Sequence, residues 1–126
     1  MAPGTMRKTL TLVVAVYWLA LFAATHIPRI PRGLQMPGAD KWQHTLAYAG
    51  LAFLLTFRGA WKRPLTWKLV LTVSGVVVGY GALDELTQIP VGRDAEWLDW
   101  FADCAGTILG IALFAAWRWV LARWPG

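Results

Sequence analysis

The apolar positions of this chain fall into four long stretches separated by short polar breaks. From Thr9 to Thr25 there is no charged residue, and Leu, Val and Ala dominate. A second stretch, Trp42 to Phe57, is interrupted by Gln43, His44 and a few small polar groups. The third runs from Trp67 to Leu83 with Lys68 at its edge, where a long stem lets the ammonium reach an interface. The fourth, Trp100 to Leu121, carries Asp103 near one end and Arg118 near the other. These lengths approach the roughly 20 residues that cross a hydrocarbon layer about 30 Å thick. The pattern therefore predicts four membrane helices, over 9–25, 42–57, 67–83 and 100–121.

The breaks have mechanisms. His26-Ile27-Pro28-Arg29-Ile30-Pro31-Arg32-Gly33 cannot continue a helix through two prolines and a glycine, and Arg58 to Pro64 and Ile89-Pro90-Val91-Gly92-Arg93 act likewise. All three connections are short, which predicts that each helix packs antiparallel to the next. The expected fold is an all-α, integral membrane four-helix antiparallel bundle in one domain, residues 1–126. Of the tryptophans only Trp18 lies mid-stretch; the others sit near predicted ends, as in an interfacial aromatic belt.

Composition excludes other classes. With 57% hydrophobic and 15% charged residues, a soluble surface would expose large apolar patches, and disorder would need the opposite balance. The net charge of +5 is a matter of topology. With both termini inside, Arg7, Lys8, Arg58, Lys62, Arg63, Lys68, Arg118 and Arg123 face the cytoplasm, and Arg29, Arg32, Lys41 and Arg93 lie outside. The bias of Lys and Arg toward the cytoplasm thus predicts N-in, C-in. All seven acids, Asp40, Asp84, Glu85, Asp94, Glu96, Asp99 and Asp103, then lie outside with both histidines, and no nucleic-acid partner is expected. Arg7-Lys8 before an apolar stretch also resembles a cleavable leader. The stretch is long for one and Ala23-Ala24-Thr25 is a weak cleavage match, so a retained helix is expected. The single cysteine, Cys104, excludes an intrachain disulfide, and its apolar setting marks it as inert packing.

The outer polar residues repeat a four-residue spacing, which places them on shared helix faces. Asp40, His44 and Tyr48 form one stripe. Asp84 and Gln88 form a second, with Tyr80 one turn deeper and Glu85 turned aside, and Asp99 and Asp103 form a third, followed by Gly106 and Gly110. Ionisable groups at membrane depth face a cavity or a partner rather than lipid. His44 is either a base oriented by Asp40 or a structural histidine. Asp84 and Glu85 are either acid–base or metal groups or a helix end in interfacial water, and Asp99 alternatively caps the fourth helix. Arg93 is either a surface cation or the holder of an anionic group. Gly106 and Gly110 read best as a close helix contact. Because the acids crowd together, Asp84→Asn or Asp99→Asn is expected to relieve repulsion at little cost in stability.

The pattern Asp40-Lys41-x-x-His44-x-x-x-Tyr48, then Asp84-Glu85-x-x-Gln88, then Arg93, Asp99 and Gly106, resembles the VanZ-like family of small bacterial membrane proteins over about Asp40 to Gly110. The family's final block has an Asn four residues after its Asp; here that position holds Asp103, which adds a negative charge. The resemblance implies a single VanZ-like domain in the bacterial inner (cytoplasmic) membrane, with its polar site on the extracytoplasmic side. It implies a role at the cell envelope, the family's name deriving from antibiotic resistance, namely lowered susceptibility to the glycopeptide teicoplanin. It supplies no reaction.

Three functional classes follow. One is an envelope enzyme with His44, Asp84 and Asp99 as catalytic groups and Asp40, Tyr48, Glu85, Gln88, Arg93 and Asp103 holding a lipid-linked precursor or a glycopeptide-related ligand. Its oxygen-rich site would favour Mg²⁺, Ca²⁺ or Mn²⁺ over zinc. The second is a non-catalytic scaffold or partner-binding protein in the bilayer. The third, a small proton-coupled drug exporter, needs an ionisable group deep in the membrane, whereas the first stretch has none and the acids gather toward one face.

Overall fold

The computed structural model describes residues 3–28, 36 and 38–124. The stretch Arg29 to Gly33 of the first break, with the expected outer cations Arg29 and Arg32, lies outside the described residues. Among the described residues four α-helices form: α1 (Pro3–Thr25), α2 (Ala39–Gly59), α3 (Trp67–Gln88) and α4 (Trp97–Arg123), with a 3₁₀ turn at Ile89–Val91 after α3. Each extends past its apolar stretch at one or both ends. Hydropathy marks only the part that tolerates lipid, whereas Asp84, Glu85, Gln88 and Asp99 stay helical because their side chains find partners inside the bundle.

Three of the helices, over Gly4–Thr25, Trp67–Val91 and Trp97–Arg123, are long and apolar enough to cross a membrane. The expectation of four such spans holds for these three. α2 falls short because Asp40, Lys41, Gln43 and His44 crowd its first turns and Arg58 its last. It packs most extensively against α4 and also touches α1 and α3, so its composition answers to protein neighbours on several sides. The apolar windows of α1, α3 and α4 are only 22%, 28% and 22% buried. Leu12, Leu19, Leu71 and Ile108 project outward, 65% to 71% exposed. So much exposed apolar surface is stable against lipid and not against water.

The α2–α4 contact depends on missing side chains. A Cβ at Gly106 would strike the Thr45 carbonyl and lie 3.0 Å from the Ala49 nitrogen, and one at Gly110 would strike the Ala49 carbonyl. The expected small-residue contact is thus present, backbone against backbone. α1 docks through the Tyr17 hydroxyl, which donates to the Ala47 carbonyl at 2.7 Å above the bare surface of Gly50, and through Thr11, whose hydroxyl receives Arg58 Nε at 2.8 Å. α3 docks with Leu69 over Gly59 at one end and Gly81 beside Asp103 and Tyr48 toward the other. Trp100 of α4 donates its indole N–H to the Val78 carbonyl. Thr45, Thr56, Thr72 and Thr107 each return their hydroxyl to the carbonyl four residues back, leaving no polar group to desolvate.

The element ends are finished locally. Thr66 caps α3, its hydroxyl accepting from the Leu69 N–H. Gly92, at φ 78, reverses the chain after the 3₁₀ turn, a conformation that favours glycine. That reversal sends Arg93 back to the end of α1, where its guanidinium donates to the carbonyls of Thr25 and Ile27. The Thr25 carbonyl belongs to the last turn, which the helix itself cannot satisfy, and that of Ile27 lies just past the helix end.

Candidate functional site

The polar residues gather at the end of the bundle where α1 and α3 finish and α2 and α4 begin. Asp84, completely buried on α3, accepts from four side chains. Its carboxylate receives Thr25 Oγ1 from α1 at 2.9 Å, Tyr48 Oη from α2 at 3.1 Å, and Gln88 Nε2 and Tyr80 Oη from its own helix at 3.2 and 3.3 Å. Four donors match the acceptor capacity of a carboxylate. Asp84 therefore ties three helices together and has no lone pair to spare for chemistry. The same saturation argues against a cheap Asp84→Asn, because an amide NH₂ would be turned on two of those donors.

His44 lies one layer nearer α4. Its Nδ1 is 2.7 Å from Asp103 Oδ1 and 3.9 Å from Glu85 Oε1, and its Nε2 faces Asp99 Oδ2 at 3.8 Å. The carboxylate that orients His44 is thus Asp103, from another helix, whereas Asp40, the partner expected from spacing, is met by Lys41 at 2.9 Å. Glu85 also departs from expectation. It turns inward, almost fully buried, and its Oε2 accepts the Glu96 backbone N–H at 3.0 Å, fixing the start of α4 to α3. Glu96 is the residue at the cap position of α4; Asp99 sits in the first turn, completely buried, where the positive end of the helix dipole favours it. Two oxygens of this group, Glu85 Oε1 and Asp103 Oδ2, are buried without a hydrogen-bond partner among the described residues, as is Gln88 Oε1.

Lys41, just before the apolar stretch of α2, closes the outer side. Its ammonium bonds Asp40, Glu96 at 2.8 Å and Asp99, joining the first turns of α2 and α4. Burial alone would lower its pKa, but the hydrogen bonds to Asp99, Glu96 and Asp40 outweigh this and raise it above the ordinary lysine value. Two trios thus bring ligand-type atoms within 4.8 Å of one another: His44, Glu85 and Asp103, and Asp40, Glu96 and Asp99. The second already surrounds an ammonium.

On the α1 side of His44 lies a cavity of about 100 Å³, lined by Thr25, Gln43, His44, Tyr48 and Arg93 together with Leu21, Ala24 and Ala47. It has room for a few waters or one small polar group. All nine residues expected from the sequence, His44, Asp84, Asp99, Asp40, Tyr48, Glu85, Gln88, Arg93 and Asp103, take part in this connected end of the bundle. Arg93 does so partly as the cap of α1. The reading missed Thr25 and His26, whose Nε2 lies 3.0 Å from Thr87 Oγ1, and the bridging role of Lys41. The polar pair Thr25-His26 at the close of an apolar stretch was the available signal. Comparison with protein-family models, with curated proteins and with solved structures returned no match for this chain.

Proposed function

We propose that the chain is a VanZ-like integral membrane protein of the bacterial cell envelope that binds a lipid-linked envelope precursor or glycopeptide-related ligand at its outward-facing acidic end. The observation that carries this reading is the set of carboxylates around His44, of which Glu85 and Asp103 keep buried oxygens without a hydrogen-bond partner among the described residues, while His44 itself lines a cavity bordered by Arg93. A bundle that used these acids only to order its helices would satisfy all of them, as it satisfies Asp84. The bundle is antiparallel in this reading. It is supported by the pairs Tyr17–Ala47 and Thr11–Arg58 between α1 and α2, and Leu69–Gly59 and Gly81–Tyr48 between α2 and α3. The Lys and Arg split supports N-in, C-in topology in the inner membrane. Alkaline phosphatase fused after Asp94 should be active and after Arg63 inactive; activity after Arg63 overturns the orientation.

Binding is tested with the full chain in nanodiscs and a photoreactive lipid-linked cell-wall precursor. Crosslinking should be saturable and should fall at least tenfold in His44→Gln and Arg93→Lys. Labelling that is equal in the wild type and both variants removes the site.

The second reading, a scaffold, is favoured specifically by Asp84, whose four donors from three helices account for it structurally. Under that reading the precursor does not crosslink at all.

A further inference from the structure

We propose that His44, Glu85 and Asp103 bind a divalent first-row transition cation, Mn²⁺ or Zn²⁺ in chemical type. The proposal rests on the preceding reading only in treating the buried end as a binding site.

The geometry is close to that of a ligand set. Donors about 2.1 to 2.2 Å from one ion lie roughly 3.0 to 3.5 Å from each other. Around His44 Nδ1 the two carboxylate oxygens stand at 2.7 and 3.9 Å, on either side of that range, and the three ligand-type atoms lie within 4.8 Å of one another, so side-chain adjustment brings them onto one ion. The three residues come from α2, α3 and α4 and are buried, Asp103 completely. Glu85 Oε1, the oxygen that faces His44, has no hydrogen-bond partner among the described residues, and neither has Asp103 Oδ2. A lone pair left unpartnered in the interior is costly, and a carboxylate more so. Here Glu85 Oε1 faces the same imidazole nitrogen that Asp103 Oδ1 bonds, and the second Asp103 oxygen, Oδ2, lies on the Gly81 side.

The surroundings point the same way. Ligating histidines turn their second ring nitrogen to a carboxylate, and His44 Nε2 faces Asp99 Oδ2. Glu85 is held by its other oxygen through the Glu96 N–H, which leaves Oε1 aimed at the ring. Gly81 leaves the space Asp103 occupies, since a Cβ there would come within 2.9 Å of Oδ2. The neighbouring trio Asp40, Glu96 and Asp99 is the natural internal control. It converges as tightly, but Lys41 bonds all three and supplies the positive charge itself. The His44 trio has no lysine or arginine bonded to Glu85 or Asp103 among the described residues. One imidazole with two carboxylates suits manganese, iron or zinc better than the all-oxygen shells of Mg²⁺ and Ca²⁺.

The test uses the full chain in detergent, stripped with a chelator and with no lipid-linked ligand added, so its outcome is separate from that of the crosslinking experiment. Titration with Mn²⁺ or Zn²⁺ should load about one ion per chain by elemental analysis and raise the melting temperature, with affinity at least tenfold above that for Mg²⁺ or Ca²⁺. Glu85→Gln and Asp103→Asn should weaken binding at least tenfold, while Asp40→Asn and Glu96→Gln leave it within threefold. Protein labelled with ¹⁵N-histidine and loaded with Mn²⁺ should show nitrogen coupling by pulsed electron resonance, retained in His26→Gln and lost in His44→Gln. Should the acid variants not fold, this coupling in wild-type protein and His26→Gln decides. Absence of binding, absence of nitrogen coupling, or binding abolished by Asp40→Asn or Glu96→Gln but not by Glu85→Gln overturns the proposal. A proton held between His44 and Asp103 would then be the occupant.

Discussion

The two ends of this bundle are built on opposite principles. At one, Phe53, Phe57, Phe114 and Trp117 pack with ring centroids 5.3 to 6.3 Å apart, and Arg118 finishes the end by donating to the Arg63 carbonyl at 2.7 Å. At the other, Asp84, Glu85, Asp99 and Asp103 are buried and each must be met by a donor in the right place. Aromatic packing is broad and tolerant of shape, whereas a buried carboxylate is tolerable only when its partners are present. A membrane sharpens this contrast, because lipid competes with an apolar contact as a near equal but offers nothing to an ion. The aromatic end therefore supplies contact area, and the acidic end fixes the mutual positions of the helices.

Isosteric changes at the two ends should expose the difference most strongly. Asp84→Asn keeps shape but turns an amide NH₂ on two of the four donors that now converge there. Each stranded buried group costs about 1–3 kcal/mol, so this variant should give the largest loss of folded protein, read as melting temperature and yield in detergent. Asp103→Asn, whose amide oxygen can still accept from His44, should be far milder; equal losses at both positions would erase the distinction between the saturated carboxylate and the available one. Next in size is Gly110→Leu, which drives a side chain into the Ala49 carbonyl and should cost about 1–3 kcal/mol or more. Gly75→Leu, with open space at its Cβ, is its control and should stay close to wild type.

Phe114→Leu, at the aromatic end, should cost less than about 1.5 kcal/mol, as apolar swaps of similar volume do. A loss as large as that of Asp84→Asn would mean that both ends demand the same precision. Smallest is Lys41→Gln, at about 1 kcal/mol because the ammonium is partly exposed. Its deficit should shrink as salt is added, because partly exposed charges are screened. In the wild type the raised pKa of Lys41 keeps its contribution complete below the ordinary lysine value and withdraws it only in strong alkali. A deficit independent of salt would show that Lys41 acts through its stem rather than its charge.

The helices were legible in the sequence because burial in lipid needs only an uninterrupted apolar run and a mechanism to end it, both local properties. Gly106 and Gly110 announced a close contact for the same reason: four-residue spacing puts both on one face. α2 was legible as a helix, and its placement against three others explains why it alone lacks a sufficient apolar window. The candidate residues could also be named, because a charged side chain inside an apolar stretch stands out against its neighbours.

Which acid serves which partner was decided only by the tertiary structure. Spacing pairs Asp40 with His44, since they are one turn apart on a single helix, but a carboxylate is claimed by whichever donor reaches it first in three dimensions. Lys41 takes Asp40, and Asp103 arrives at His44 from α4 because Gly106, one turn on, lets that helix approach α2. Glu85, read as turned aside, is drawn inward by the Glu96 N–H at the start of α4. Helical periodicity is a property of each segment, whereas these pairings depend on the rotation of one helix about its axis relative to another. That rotation is set by side chains far apart in the chain.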